Sequence, residues 1–550
     1  MIQLKRKVFD LNNDYSNVKS ISLYINQLRD FIPIIQQNPN ITSINLSGNS
    51  ILGYEHDIIN LLQTTNIIAL DLSNLIKDNL IPILYIIGVG LKNNKTLKHL
   101  YISNVDNLYF EKIETDIKED ETKKYNKVIE MNKMNIMDCN ILYKEFFIGL
   151  NTSNIKYINL SNNRINDLFL EIFFKNIKPD NIIETLILNN NEISNLIYIE
   201  DFLKESKNIK CLSLMNNNIS ELYFIGRGLI YNKSLINLYL TNNPIKNIID
   251  LCDGIINNRT LSQLHLEECE IINIDRFETV LKNNNTLLYL NLKNNKIKNI
   301  TNFCAGLTSN KSLKYLNLGF NQIENIDELG KSLNKNNHLH YLILENNKIK
   351  DINLLSYYLN SSSLTYLDLG YNYINNIFYL GEALKKNVTL NELCINNNLF
   401  DCLEPITNAL YCNSSLSTLH LGFKISHLNY YNKIHCNYDE EHYKHLDFKD
   451  FSNFIDVLKV NSSLTSLNLN GDNSPDLKYL YKMLEFNTSL YELQLLNYKS
   501  GFNHNSSIKE LQSLNDPKGI DCNVLNPNSA INSQFLNELE KNYTLTSIYF

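Results

Sequence analysis

Residues Leu287–Ile297 read LLYLNLKNNKI, Leu313–Ile323 read LKYLNLGFNQI, and Leu339–Ile349 read LHYLILENNKI. Leucine stands at the first, fourth and sixth places of each stretch, asparagine at the ninth and isoleucine at the eleventh, and each copy starts 26 residues after the one before. An internal period of this length outranks any local signal, because it makes the chain a stack of similar units. Working outward, the second apolar position recurs at Ile21, Ile44, Leu70, Leu100, Ile158, Leu186, Leu212, Leu238, Leu264, Leu290, Leu316, Leu342, Leu367, Leu393, Leu419, Leu467, Leu493 and Ile548. That makes about 18 units.

Each unit carries two periodicities. The alternating leucines predict a short strand with one apolar face. After the asparagine, Ile323, Ile326, Leu329 and Leu333 fall at helical spacing, so one side of a helix turns toward that strand. A unit of strand, turn and helix cannot cover its own apolar side, whereas stacked neighbours share a continuous core. Where the strand bends away, backbone groups lose their ladder partners and need replacements. An asparagine amide offers both donors and acceptors there. Asn163, Asn191, Asn217, Asn243, Asn295, Asn321, Asn347, Asn372 and Asn398 occupy this place and are read as structural.

The LxxLxLxxNxI pattern resembles the leucine-rich repeat superfamily. The helical half, with Leu329-Gly330 or Leu380-Gly381 followed by Asn310-Lys311-Ser312-Leu313 or Asn387-Val388-Thr389-Leu390, is similar to the ribonuclease-inhibitor-like class. The resemblance implies an α/β solenoid: a horseshoe with parallel strands on its concave face and helices on its convex face. It also implies protein binding, with few enzymes among its members. Cys269 replaces the asparagine in one unit, and Lys424, Asp472 and Tyr498 replace it in degenerate units near the end.

These steps divide the chain into an N-terminal cap segment at 1–16, repeats at 17–105, a charged insertion at 106–140 and regular repeats at 141–423. A His-rich insertion at 424–451, degenerate repeats at 452–498, a polar loop at 499–533 and a capping unit at 534–550 complete it. The first strand, near Val18–Leu23, needs a cover, which either residues 1–16 or a second copy would supply. The oligomeric state is left open.

Between the patterned leucines, the residue before the second one is Tyr289, Tyr315, Tyr341 and Tyr366 in four consecutive units, and Tyr157 earlier. Neighbouring parallel strands would align them as a ladder. Phe320, Tyr371 and Phe423 fall beside it, with Glu267, Glu345, Asp368 and Glu392 supplying negative charge. Aromatic rows of this kind carry binding hot spots. They also suit strands for purely structural reasons, and the chain has 33 tyrosines. The expected partner surface is Tyr289, Tyr315, Tyr341, Tyr366, Phe320, Tyr371, Glu345 and Asp368.

With 51 Lys and Arg against 58 Asp and Glu, the formal net charge is −7, which gives no basic footprint for a phosphate backbone. The expected partner is therefore a protein, not nucleic acid. The most apolar run, Leu80–Leu91, is too short to span a bilayer, and Asp10, Asn12, Asn13 and Asp14 stand where a signal peptide needs an apolar core. A cytoplasmic location with reduced cysteines follows as an expectation. Asn-x-Ser/Thr triplets at Asn232, Asn258, Asn310, Asn387 and Asn461 are read as repeat positions and not as glycan acceptors.

No GxxxxGK[ST], HExxH or GxSxG occurs. His420, His427, His435, Cys436, His442 and His445 form a Cys/His-rich region, but its spacing does not match zinc fingers and it is read as a solvated loop. Arg164 beside Asn163 is read as a turn residue. The reading therefore assigns no catalytic residue, metal ligand or cofactor: a non-catalytic interaction scaffold, with regulation of a small GTPase, of the GTPase-activating type, as the alternative.

Overall fold

The computed structural model describes residues 3–4, 18–76, 80–92, 94–105, 136–178, 180–400, 402–422, 451–469, 477–494, 545 and 547–549. Most of the charged insertion, the His-rich insertion except its last residue, and the polar loop lie outside these residues. So do Phe423 and the replacement residues Lys424, Asp472 and Tyr498. The chain divides into two compact units, Met1–Glu270 and Ile271–Phe550.

In the first unit, strands at Ser20–Ser22, Ser43–Asn45, Ala69–Asp71, His99–Tyr101, Tyr157–Asn159, Thr185–Ile187, Cys211–Ser213, Asn237–Tyr239 and Gln263–His265 pair side by side, all parallel. Gln3–Leu4 pairs in parallel with Ser20 and Ile21 and so lies against the first repeat strand. In the second unit, strands at Tyr289–Asn291, Tyr315–Asn317, Tyr341–Ile343, Tyr366–Asp368, Glu392–Cys394, Thr418–His420, Ser466–Asn468, Glu492–Gln494 and Ser547–Tyr549 do the same. The repeat apolar position is the middle residue of every repeat strand, and Leu290 pairs with Leu316, and Leu316 with Leu342, without slip. The expected solenoid of strand and helix is therefore present.

The helices follow the strands as the periodicity requires. Ile323, Ile326, Leu329 and Leu333, whose last member ends the helix Asp327–Leu333, are at most 1% exposed. Each such side chain contributes roughly 1.5–3 kcal/mol through removal from water. Successive helices approach closely at the glycines of the motif. A Cβ on Gly330 would lie 2.7 Å from the backbone of Leu354 and Leu355, and one on Gly381 would lie 2.5 Å from the Pro405 carbonyl. Only a residue without a side chain fits such contacts.

The nine asparagines of the turn are at most 8% exposed. Asn321 is representative: its Nδ2 donates to Leu292 O and Leu318 O, both at 3.0 Å, and its Oδ1 accepts from Ile297 N at 3.1 Å. One amide thus satisfies its own turn and the turn before it. Cys269 tests the arrangement. Its Sγ can donate to Leu240 O at 3.3 Å or Glu267 O at 3.2 Å but has no amide oxygen to offer. The Ile245 N–H turns instead to Asn243 O at 2.8 Å, and Lys246 N donates to Cys269 O at 3.1 Å with Lys246 at φ 54°.

A second asparagine row runs at the helix-to-strand turn, where the Asn-x-Ser/Thr triplets stand. Asn310 Nδ2 donates to Leu281 O at 2.8 Å and Asn284 O at 3.3 Å. Its Oδ1 accepts from Ser312 N at 3.0 Å and Leu313 N at 2.7 Å. Asn232, Asn258, Asn387, Asn413, Asn461 and Asn487 repeat the pattern and are buried. These triplets are therefore built into the turns, where a glycan would have no room.

Candidate functional site: an aromatic row on the strand face

Tyr289, Tyr315, Tyr341 and Tyr366 are the first residues of four consecutive parallel strands and are paired with one another by register. Because side chains alternate along a strand, all four stand on the face opposite the buried leucines. Their rings form a continuous row: Tyr289 and Tyr315 at 4.1 Å between centroids, Tyr315 and Tyr341 at 6.1 Å, Tyr341 and Tyr366 at 5.8 Å. Tyr341 is 46% exposed and the other three are partly buried. Burial pushes the Tyr366 phenol well above its ordinary range, with Cys394 and Asp368 adding to it.

Phe320 and Tyr371 lie where the strand turns, immediately before Asn321 and Asn372. Both have left-handed backbones, φ 55° and 54°. The equivalent residues Asn74, Asn104, Asn162, Asn190, Asn216, Asn242, Asn294, Asn346 and Asn397, and Glu268 in one repeat, share this conformation. Asparagine tolerates it, whereas a bulky side chain pays roughly 1–2 kcal/mol in strain. In the first unit these asparagines bond one another: Asn216 to Asn190 at 2.6 Å and Asn242 to Asn216 at 2.8 Å. Aromatic residues interrupt that polar row beside the tyrosines, and Lys293 Nζ sits 4.5 Å from the centre of the Phe320 ring.

The acids flanking the row do not share one environment. Glu345 is largely desolvated and close to Asp368, which together push its carboxyl up to about 7 against the opposing pull of Lys293. Asp368 is buried; burial raises its pKa, although its Oδ1 accepts from Gly370 N at 2.9 Å. That bond matches the one that Gly319 N donates to Asn317 Oδ1 at 2.9 Å, so Asp368 also serves its turn. Glu392 follows Tyr366 by register, and Cys394 pairs with His420. Among the described residues, Glu392, Cys394 and His420 bring ligand-type atoms within 4.8 Å of one another. Sequence reading set His420 with the histidines that follow it. Cys394 and His420 are 26 residues apart, one repeat, which is the spacing that should have joined them.

In the first unit the pattern is looser. Tyr157 packs on Tyr101 at 5.0 Å and on His99 at 5.8 Å, and Tyr239 stacks on His265 at 4.3 Å. Burial works to raise the Glu267 carboxyl, but hydrogen bonds from His265 and Thr241 outweigh it and hold the carboxyl below its ordinary range. Arg164 occupies a left-handed turn at φ 49°. Among the described residues, no disulfide joins Cys211, Cys252, Cys269, Cys304, Cys394, Cys402 or Cys412. No helix among the described residues is long and apolar enough to cross a membrane.

No family model and no curated protein matches the chain. Solved structures do. An internalin of Listeria monocytogenes is 21% identical, covering 51% of this chain and 76% of its own, with a TM-score of 0.35. A leucine-rich repeat protein of Leptospira interrogans is 18% identical, covering 88% of this chain and 91% of its own, at 0.45. TLR13 in its complex with ssRNA13 is 18% identical, covering 87% of this chain and 59% of its own, at 0.49. At such identities and scores the fold rests on the chain's own geometry. A 26-residue period, one strand and one helix in each regular repeat, leucines buried behind every strand and asparagines bridging successive turns make this the leucine-rich repeat fold.

Proposed function

We propose that the chain is a non-catalytic interaction scaffold that holds a protein partner on the strand face of its second unit, along Tyr289, Tyr315, Tyr341 and Tyr366. Phe320 and Tyr371 would form the rim. The observation that carries this reading is the left-handed backbone of those two aromatic residues, at a position where nine other repeats place asparagine. Backbone strain of this kind persists where a side chain is needed for something other than folding. Tyrosines that keep one edge wet while offering a flat apolar face are suited to a protein surface. Nearby carboxylates favour a segment carrying lysine or arginine, whose cation can also lie over a tyrosine ring, and oppose a phosphate backbone.

Affinity capture tests the reading with three baits: the unaltered protein, the Tyr315→Ala/Tyr341→Ala variant, and Tyr357→Ala, which removes a 69% exposed ring from a helix. The partner should be lost with the double variant alone, with all three baits still folded at the temperature of capture. Retention of the partner by the double variant would sink the proposal.

A further inference from the structure

We propose that Glu392, Cys394 and His420 form a three-ligand site for a divalent transition metal ion, zinc above all, with a fourth position open to an outside donor. Two adjacent parallel strands build it. Glu392 and Cys394 flank Leu393, so both side chains leave the same side of their strand, and Cys394 faces His420 across the pairing. Their sulfur, nitrogen and oxygen atoms all lie within 4.8 Å of one another.

The distances carry the argument further. His420 Nε2 and Glu392 Oε1 are 3.4 Å apart, longer than a good charged hydrogen bond. Two ligands about 2.05 Å from a tetrahedral zinc ion stand about 3.3 Å from each other, so this pair already spans one edge of such a site. Sulfur with imidazole and a carboxylate is a donor set that zinc accepts and that magnesium or calcium does not. Access is available, because the His420 and Glu392 side chains are 22% and 35% exposed while Cys394 is buried beneath them.

The surroundings fit a cation. Asp368 pairs with Cys394 on its other side, and Tyr366 Oη lies 3.8 Å from Cys394 Sγ, placed to donate to a thiolate. Outer hydrogen bonds of this kind orient metal ligands. Binding would release the thiol proton, and the doubly charged ion would then balance one thiolate and one carboxylate. Three protein ligands leave a vacant coordination position on the strand face, where a water or a donor atom from a bound protein completes the shell.

Cobalt(II) is the probe, added to the reduced, chelator-treated full chain. The expected result is one tightly bound equivalent with a sulfur-to-cobalt charge-transfer band. Cys394→Ser should abolish the band, and His420→Asn should weaken cobalt binding by more than about 10-fold. Cys436→Ser, in the His-rich segment, should leave both intact. Absence of the band in the unaltered protein overturns the proposal, as does its persistence in a Cys394→Ser variant that keeps its far-UV circular dichroism. Should Cys394→Ser fail to fold, unchanged cobalt affinity in His420→Asn overturns it instead. None of these outcomes bears on partner capture by the tyrosine row, so the two proposals fail separately.

Discussion

Tyr289 and Tyr315 stack with ring centres 4.1 Å apart and planes only 9° from parallel, closer than the other two ring pairs of the row. Their strands are in register, so the stack follows directly from the identical position of tyrosine in two repeats. A ring pair of this kind contributes about 0.5–1.5 kcal/mol. Tyr315→Ala should therefore lower stability by about that amount in a denaturant melt. A loss of several kcal/mol would mean that the row serves the core instead of a partner.

Phe320 holds a backbone conformation that asparagine adopts more cheaply. Phe320→Asn should leave stability unchanged or raise it by up to about 1 kcal/mol, since relief of left-handed strain is partly offset by loss of the Lys293 contact. Partner capture should weaken in the same variant. A clear destabilisation would identify the ring as packing.

Asn321 is bonded to two turns at once. Asn321→Ala leaves the Ile297 N–H and the Leu292 carbonyl buried without this partner. The Leu292 carbonyl keeps its bond from Asn295 Nδ2 at 3.0 Å, so the penalty falls on the Ile297 N–H, and a loss of about 1–3 kcal/mol is expected in chemical denaturation. Because repeats depend on their neighbours, hydrogen exchange should rise in the strands on either side of the substitution.

Gly330→Ala gains helix propensity worth about 1 kcal/mol, yet the new Cβ would meet backbone atoms of the next helix at 2.7 Å. Overpacking should win, with a net loss of about 1–3 kcal/mol and a lower melting temperature. A more stable variant would show that the helices can separate at no cost.

Glu345 makes stability depend on pH. Its folded carboxyl titrates at about 7, above the unfolded value, so its neutral form is the one that suits the fold. Below the unfolded value both states are protonated and the residue costs nothing. As pH rises toward 7 the unfolded state ionises first, and stability is lost. Glu345→Gln should match the unaltered protein near pH 4 and exceed it by on the order of 1–3 kcal/mol at pH 8. Parallel pH profiles for the two proteins would count against this burial.

The repeat and its fold were legible in the sequence because both are written locally. Leucines at fixed spacing define a strand, apolar residues at helical spacing define the helix behind it, and a step of 25 or 26 residues from Leu186 to Leu419 brings successive strands into register. The tyrosine row was legible for the same reason, since equal positions in equal repeats become neighbours. Other features were decided only by tertiary structure. The strain at Phe320 and Tyr371 follows from a left-handed turn that asparagine conceals in nine other repeats. The second asparagine row was recognisable as a repeat position, but the bonds of its amides to buried carbonyls of the preceding unit came from the structure. In the sequence His420 grouped with the histidines that follow it, Cys394 drew no notice, and Glu345 counted as one of the flanking negative charges. Stacking parallel strands side by side brings distant residues together, and burial then sets which of them can carry charge.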